Sequence, residues 1–399
     1  MKKILLLGGS AQQVVAIKKA KELGYYTVLC DFLPDNPGQY EADKFYLVST
    51  TDKAAVLKVA EDEGVSGVLA YASDPAAPTA AYVAEKMGLP GNPYNSVEIL
   101  CNKDKFREFL ANNGFNTPKA RGYTDAEMAI NDLKNGVFQF PVIVKPVDSS
   151  GSKGATVLKS IDGIQDAVKK AFSFSRGERI VVEDFIEKKH KYLVGGDIFV
   201  VDGEVILWGL MNCHRDNDVN PLVPAGKSYP LELCDSDIEN VKKVLKNIVA
   251  RLAIRNGAMN VELIIDKNDR VWLIDVGPRS GGNMIPDLLG DIFDVDIAAM
   301  SVKAAMGIKI SERPVYQDGC YATYNLHSQS NGIYKNITFS PELQSHIYRT
   351  CIYKKIGDKV ERFTDASKCL GIIFLRFQSK AEMIRVLANI NESIDIGLQ

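Results

Sequence analysis

Apolar and polar positions change period several times along the chain, and each change marks an element. The first hundred residues alternate short apolar runs with helical patterns. KILLLGG (3–9) reads as a buried strand, AQQVVAIKKAKELG (11–24) as a helix with a glycine stop, and YTVLCD (26–31) as a second strand. DKAAVLKVAEDEG (52–64), VSGVLAY (65–71) and PTAAYVAEKMGLPG (78–91) repeat the helix–strand–helix pattern. Strands joined by crossover helices predict a doubly wound parallel sheet. Ligands of such sheets sit beyond the carboxyl ends of the strands. The turn GGSAQQ (8–13) and the stretch YASDPAAP (71–78) lie there.

Past residue 100 the pattern becomes mixed. NKDKFREFLANNG (102–114) is a helix, and FPVIVKP (140–146) and RIVVEDFIE (179–187) are strands. DIFVVDGEVILWGLM (197–211) is a hairpin about Asp202-Gly203, a pair suited to the left-handed positions of a tight turn. NCHRDNDVNPLVPAGKSYP (212–230) is polar and proline-bearing, and reads as a long loop, either a lid or disordered. DIENVKKVLKNIVARLAI (237–254) is an amphipathic helix. Strands CYATYNLHS (320–328) and GIIFLRFQS (371–379) and the helix AEMIRVLANINES (381–393) close the chain. The expected class is α/β, a doubly wound parallel sheet followed by α+β units. Its units span 1–100, 101–185, 186–310 and 311–399.

Composition narrows the function classes. Apolar content of 46% and charged content of 25% are those of a globular protein, and a net charge of −2 marks neither a nucleic-acid nor a membrane binder. The seven cysteines are scattered, odd in number and without a CxxC pair, which fits reduced thiols in the cytoplasm. No segment reaches the ~18 apolar residues that span a bilayer.

Three stretches carry chemistry. In the first unit, Asp31 ends the second strand, where a ribose-binding acid of a dinucleotide site would stand. The turn, however, lacks the third glycine of GxGxxG. In the second unit, Lys145 lies in an apolar strand just before Pro146, and burying an ammonium without a partner is costly, so an anion is expected there. Ser149, Ser150, Gly151, Ser152, Lys153 and Gly154 follow as a loop of backbone donors and hydroxyls that can fold over phosphates. It is not a Walker loop, because GxxxxGK[ST] is absent and a strand follows.

The third stretch is NVELIIDKNDRVWLIDVGPR (260–279). A hairpin turn centred between Asn268 and Asp269 pairs Lys267 with Arg270, Asp266 with Val271, and Glu262 with Asp275. The two carboxylates then stand side by side, roughly 5 Å apart at Cβ, an arrangement that repels unless a proton or a cation intervenes. Oxygen ligands beside a phosphate site suit Mg²⁺. Arg279 lies just beyond, among glycines that permit close approach to a ligand.

In this order the residues resemble the ATP-grasp superfamily, in its carboxylate–amine ligase branch. That branch includes phosphoribosylglycinamide synthetase, the carbamoyl phosphate synthetase large subunit, biotin carboxylase and L-amino acid ligase. The motifs are Asp104-Lys105 at a helix start, Lys145 before the glycine loop, VVEDFIE, and the acidic hairpin ending in DVGPRSGGN. The resemblance implies a pre-ATP-grasp domain, two grasp subdomains and a C-terminal wall to the substrate site. It also implies that Lys105 and Lys145 hold the phosphates of ATP under the lid at 149–154. Glu183, Asp184, Phe185 and Ile186 would read adenine, and His190 would touch ribose. Glu262 and Asp275 would bind Mg²⁺ or Mn²⁺, and Arg279 would stabilise the transferring phosphoryl group.

The implied activity is ATP-dependent joining of a small carboxylate to an amine through an acyl phosphate. A homodimer is among the expected assemblies. Gly277 departs from the family, which often places a third metal ligand, Asn, at that position. An ATP-binding protein that ligates nothing is therefore a second reading. Among His327, His346, Arg349 and Arg376 of the last unit, the sequence gives no reason to choose.

Overall fold

The computed structural model describes residues 1–399. The first unit holds β1 (Lys3–Leu7), α1 (Val14–Glu22), β2 (Tyr26–Asp31), β3 (Lys44–Leu47), α2 (Lys53–Glu63), β4 (Gly67–Leu69) and α3 (Ala77–Met87). The strands form a parallel sheet in the order β3-β2-β1-β4. The edge strand β3 is an addition to the sequence reading; its residues alternate too little between apolar and polar to declare a strand. Helix ends follow local chemistry: Asp52 caps α2 by accepting from the Ala55 amide (3.0 Å), and Gly64 stops it at φ 59°.

Two linking helices, α4 (Tyr94–Cys101) and α5 (Lys103–Asn112), lead to a small antiparallel sheet. It contains β5 (Ala120–Tyr123), α6 (Ala126–Lys134), β6 (Val142–Pro146), β7 (Thr156–Leu158), α7 (Ile164–Ser173) and β8 (Ile180–Asp184), with strand order β5-β8-β6-β7. The helices cover one face, where Leu133, Val142, Val144, Ile164, Val168 and Val182 form a separate core.

The rest of the chain is β9 (Leu193–Val201), β10 (Glu204–Asp216), β11 (Asn220–Tyr229), α8 (Asp235–Arg251), β12 (Gly257–Ile265), β13 (Val271–Gly277), α9 (Ile285–Phe293), α10 (Ile297–Ala305), β14 (Cys320–Leu326), β15 (Gly332–Phe339), α11 (Pro341–His346), β16 (Ile347–Ile352), β17 (Lys359–Val360), β18 (Gly371–Phe377), α12 (Lys380–Ala388) and β19 (Ile394–Leu398). One eight-stranded sheet runs β13-β12-β9-β10-β11-β14-β18-β16. The boundary expected near residue 311 therefore does not separate sheets: β11 pairs directly with β14. No helix is long and apolar enough to cross a membrane.

Residues 212–230 are a correction. They are not a loop but most of the β10–β11 hairpin. Pro224 is accommodated because the ladder slips between His214 and Asp216, so its missing N–H falls at an irregularity. Of the polar residues that suggested a loop, Arg215 and Lys227 face the site described next, while Asp216 pairs with His327 and Asn391.

The acidic hairpin is a second case. Glu262 does pair with Asp275, but Leu263 pairs with Leu273. The turn is odd, with Asp266 and Arg270 closing Lys267-Asn268-Asp269 and Asp269 at φ 61°. A bulge at Ile274 then shifts the register by one residue. The odd turn and the bulge cancel, so the expected pairing holds through a different geometry.

Candidate active site

Lys145 is the starting point. Val142 and Val144 of β6 point into the small core, so Lys145 projects from the opposite face. It is 7% exposed, and its ammonium stands 2.8 Å from Glu183 Oε2. The other Glu183 oxygen accepts from Arg107 Nε at 2.9 Å. Arg107 continues across the domain junction, donating to the carbonyls of Leu273 (2.9 Å) and Ile274 (2.7 Å) beside the bulge. Two buried cations thus face one buried carboxylate. Burial would raise the Glu183 carboxyl, but Arg107 and Lys145 override it and hold it at about 2. Burial pushes the Lys145 ammonium down, against the pull of Glu183. The surplus positive charge requires an anion.

More cations converge from the other side. Lys103, at the start of α5, donates to the Ser149 carbonyl (2.8 Å) and stands 3.6 Å from Asp275 Oδ2. Arg215 of β10 and Lys227 of β11 approach Glu262 at 3.4 and 4.0 Å. Lys227 is buried and donates to Cys213 Sγ (2.6 Å). The loop at 149–154 lies over this group, with Gly151, Ser152 and Gly154 in left-handed conformation and Ser152 Oγ donating to the Leu222 carbonyl (2.7 Å). No amide from 150 to 154 donates a well-formed hydrogen bond, so their N–H groups are free.

Arg279 follows β13. It pairs with Asp74 from the first unit, and its Nε has no partner. The adjoining turn is fixed by Asp197, a fully buried carboxylate that accepts from the Gly281 amide (2.7 Å) and Asn260 Nδ2 (2.8 Å). Burial raises the Asp197 carboxyl to about 6 against those two bonds. A Cβ on Gly277 would stand 2.6 Å from Asp74 Oδ1 and 3.2 Å from Arg279 Cζ. The missing third ligand thus has a physical cause: the Asp74–Arg279 pair occupies its space.

The structure brings Lys145, Ser149, Ser150, Gly151, Ser152, Glu183, Glu262, Asp275 and Arg279 together, but two expected residues stand apart. Lys105 pairs with Glu98 (3.0 Å) on the outer side of α5, and Lys103 holds the position expected of it. The helical period decides this. Lys103, Arg107 and Leu110 share one face, and Lys105 is turned about 160° away from Lys103. His190 accepts from the Ile265 amide at Nε2 (2.9 Å) and contacts the Tyr192 carbonyl through Nδ1, so neither ring nitrogen is left for ribose. In the adenine segment, Asp184 and Phe185 donate their amides to Lys119 and Pro141, and the Ile186 amide donates to nothing. Sequence reading missed Lys103, Arg107, Asp197, Arg215 and Lys227. The available signal was an arginine on the apolar face of α5, beside Phe106 and Leu110.

In the first unit, the groups that a dinucleotide would meet are occupied within the protein. Asp31 accepts from the Gly9 and Leu33 amides (2.7 and 2.9 Å), and the Gln13 side chain fills the turn.

Comparison with known proteins matches this arrangement. A family profile described as "ATP-grasp domain" matches residues 138–287, from just before β6 into α9. The chain is 26% identical over 318 residues to formate-dependent phosphoribosylglycinamide formyltransferase of Prochlorococcus marinus, covering 78% of each. It is 24% identical over 298 residues to the carbamoyl phosphate synthase large chain of Thermotoga petrophila, covering 73% of this chain and 26% of that protein. The chain thus spans about a quarter of the length of that large chain. A crystal structure of L-amino acid ligase from Bacillus licheniformis superposes with a TM-score of 0.81 at 21% identity, covering 100% of this chain and 99% of that one. Residues 138–287 thus match an ATP-grasp domain, and the whole chain shares the fold of these neighbours.

Proposed function

We propose that the protein is an ATP- and Mg²⁺-dependent ligase that joins a carboxylate to an amine through an acyl phosphate, releasing ADP and phosphate. The observation that carries this reading is the convergence of Lys103, Arg215 and Lys227 on the Glu262–Asp275 pair, with Lys145 buried against Glu183, beneath a loop of free amides. A match to an ATP-grasp domain, and relatives named as a synthase and a ligase, support it. The seven unpaired cysteines support a cytoplasmic setting.

The phosphates of substrate ATP meet Lys145, Lys103 and the amides of 150–154, and adenine takes the free Ile186 amide. Glu262 and Asp275 fit Mg²⁺. Their nearest cations lie at 3.4 and 3.6 Å, leaving both carboxylates able to ligate, and Mg²⁺ keeps several waters when only two carboxylates serve it. The bound ion would supply neutralisation of phosphate charge. A substrate carboxylate oxygen attacks the γ-phosphorus, and the bond to the bridging oxygen of ADP breaks. Arg279 stabilises the charge that spreads over the transferring group. The lone pair of an amine then attacks the acyl carbon, the bond to phosphate breaks, and the nitrogen's proton leaves with phosphate.

One observation favours a second reading, an ATP-binding protein without ligase activity: no group of three or more His, Cys, Asp or Glu side chains is assembled as a metal site. An ADP-release screen of carboxylates crossed with amines separates the two. Acceptor-dependent ADP release is expected. Stabilisation by Mg²⁺-ATP with no release for any pair would favour the second reading.

A further inference from the structure

A cavity of about 250 Å³ lies where three parts of the chain meet. Its floor comes from Ala11 and Gln12, after β1, and from Tyr71 and Ala72, after β4. Those strands are neighbours at one edge of the parallel sheet, and the cavity lies beyond their carboxyl ends, where doubly wound sheets bind ligands. The roof is Gly281 to Asp287, next to Arg279, and the far wall is the end of β16 and the residues after it. Ala72 and Met284 line it at φ 50° and 54°, and Asn283 between the roof residues is at φ 53°. Such conformations persist only where surrounding contacts enforce them. Here Gln12 Oε1 accepts from the Asn283 amide (2.7 Å) and pins roof to floor.

The lining chemistry is selective. Val15, Met284, Pro286 and Ile352 form an apolar wall. The single charged group is Asp287; no lysine, arginine or histidine lines the cavity. The nearest guanidinium, Arg349, stands 3.7 Å from Asp287 and 2.7 Å from Asp291, so one cation is divided between two carboxylates. The Tyr353 hydroxyl, also in the wall, is buried without a partner. A phosphorylated ligand would find no cation here, only a carboxylate that repels it.

We infer that this cavity binds a compact ammonium compound with an apolar substituent, of the chemistry of an aliphatic α-amino acid, with Asp287 pairing the ammonium and the Val15–Met284–Ile352 wall taking the substituent. A ribosyl phosphate is excluded, which sets this site apart from those of the relatives named for phosphoribosyl substrates. The inference rests on the ligase reading for its functional meaning, but not for the binding itself.

Calorimetry without nucleotide tests it, using L-leucine, isopentylamine, 4-methylpentanoate and ribose 5-phosphate. Leucine and isopentylamine are expected to bind, 4-methylpentanoate roughly tenfold more weakly or worse because it lacks the charge-assisted bond to Asp287, and ribose 5-phosphate not at all. Asp287→Asn should weaken leucine by a similar factor. Ile352→Trp, at a half-exposed sheet edge that tolerates bulk, should fill the cavity and remove binding of both amines. Silence from both amines, binding of ribose 5-phosphate, or undiminished leucine binding in both variants overturns the inference. Failure of Mg²⁺-ATP to bind in a separate titration would sink the ligase reading alone.

Discussion

Two glycine-bearing turns, at 8–13 and at 149–154, look alike in sequence and differ in what their backbone donors do. In the first, the amides are spent within the protein: Gly8 donates to the Cys30 carbonyl (2.9 Å), Gly9 to Asp31 (2.7 Å) and Ser10 to Gln13 (2.9 Å). Gln13 also fills the space a phosphate would need, since a Cβ on Gly8 would stand 2.2 Å from its Nε2. In the second, the amides are free and cations surround them. Glycine gives a chain the conformations of an anion nest. Whether the nest holds an anion is decided by unspent donors and uncompensated charge.

The sharpest test of this contrast is at Arg279. Arg279→Ala should cut turnover by roughly 10³-fold or more while sparing ATP binding, because the arginine meets charge that grows only as phosphoryl transfer proceeds. A loss confined to ATP affinity would remove it from the chemistry. Next in size, Lys145→Ala should weaken Mg²⁺-ATP by roughly 1.5–3 kcal/mol, the worth of a buried charge-assisted bond. Arg107 would keep Glu183 paired, so the variant should fold. Gln13→Ala should leave ATP affinity unchanged. Equal effects of the two substitutions in a nucleotide titration would erase the distinction between the turns.

Lys103→Ala and Lys105→Ala are a smaller test of the same logic. The first should weaken Mg²⁺-ATP by roughly tenfold, and the second should leave it nearly intact, since Lys105 faces Glu98. The reverse ranking would restore Lys105 to the site.

Acid sensitivity should also belong to the second region. His214 is half-buried against Ser228, and the loss of water around its ring lowers the imidazole to about 3. Protonation then favours the unfolded chain, so its share of stability is lost as pH falls below the ordinary histidine value. Glu183, held at about 2, contributes stability above the ordinary glutamate value that is lost as pH falls through about 2. Denaturant titrations from neutral pH downward should show falling stability, with a shallower slope for His214→Asn above the glutamate range. Identical slopes would mean that His214 is not the group responsible. The smallest expected effect is at the lid: Mg²⁺-ATP should slow proteolysis after Lys153. Unchanged cleavage would leave 149–154 as a plain turn.

What the sequence disclosed follows from how locally each feature is determined. Period and turn chemistry marked the parallel unit and the Asp202-Gly203 hairpin, because those depend on neighbouring residues. The end of β10 and all of β11 stayed hidden because strand patterns are recognised by an apolar face, and here the strands turn Arg215 and Lys227 toward a charged site. Lys103 and Lys105 carry the same charge two residues apart, and only the face of α5 that carries Arg107 tells them apart. The contact from Arg107 to Glu183 and to the carbonyls of β13 joins residues far apart in the chain, beyond any short-range signal.

That arginine also bears on how the molecule can vary. One planar, permanently charged fork fixes Glu183, the carboxylate beside Lys145, against the backbone of β13. Lys103, between the Ser149 carbonyl and Asp275, is a second direct tie between the two halves of the site. A change at Arg107 itself would weaken the join between the two halves even with every ligand residue in place.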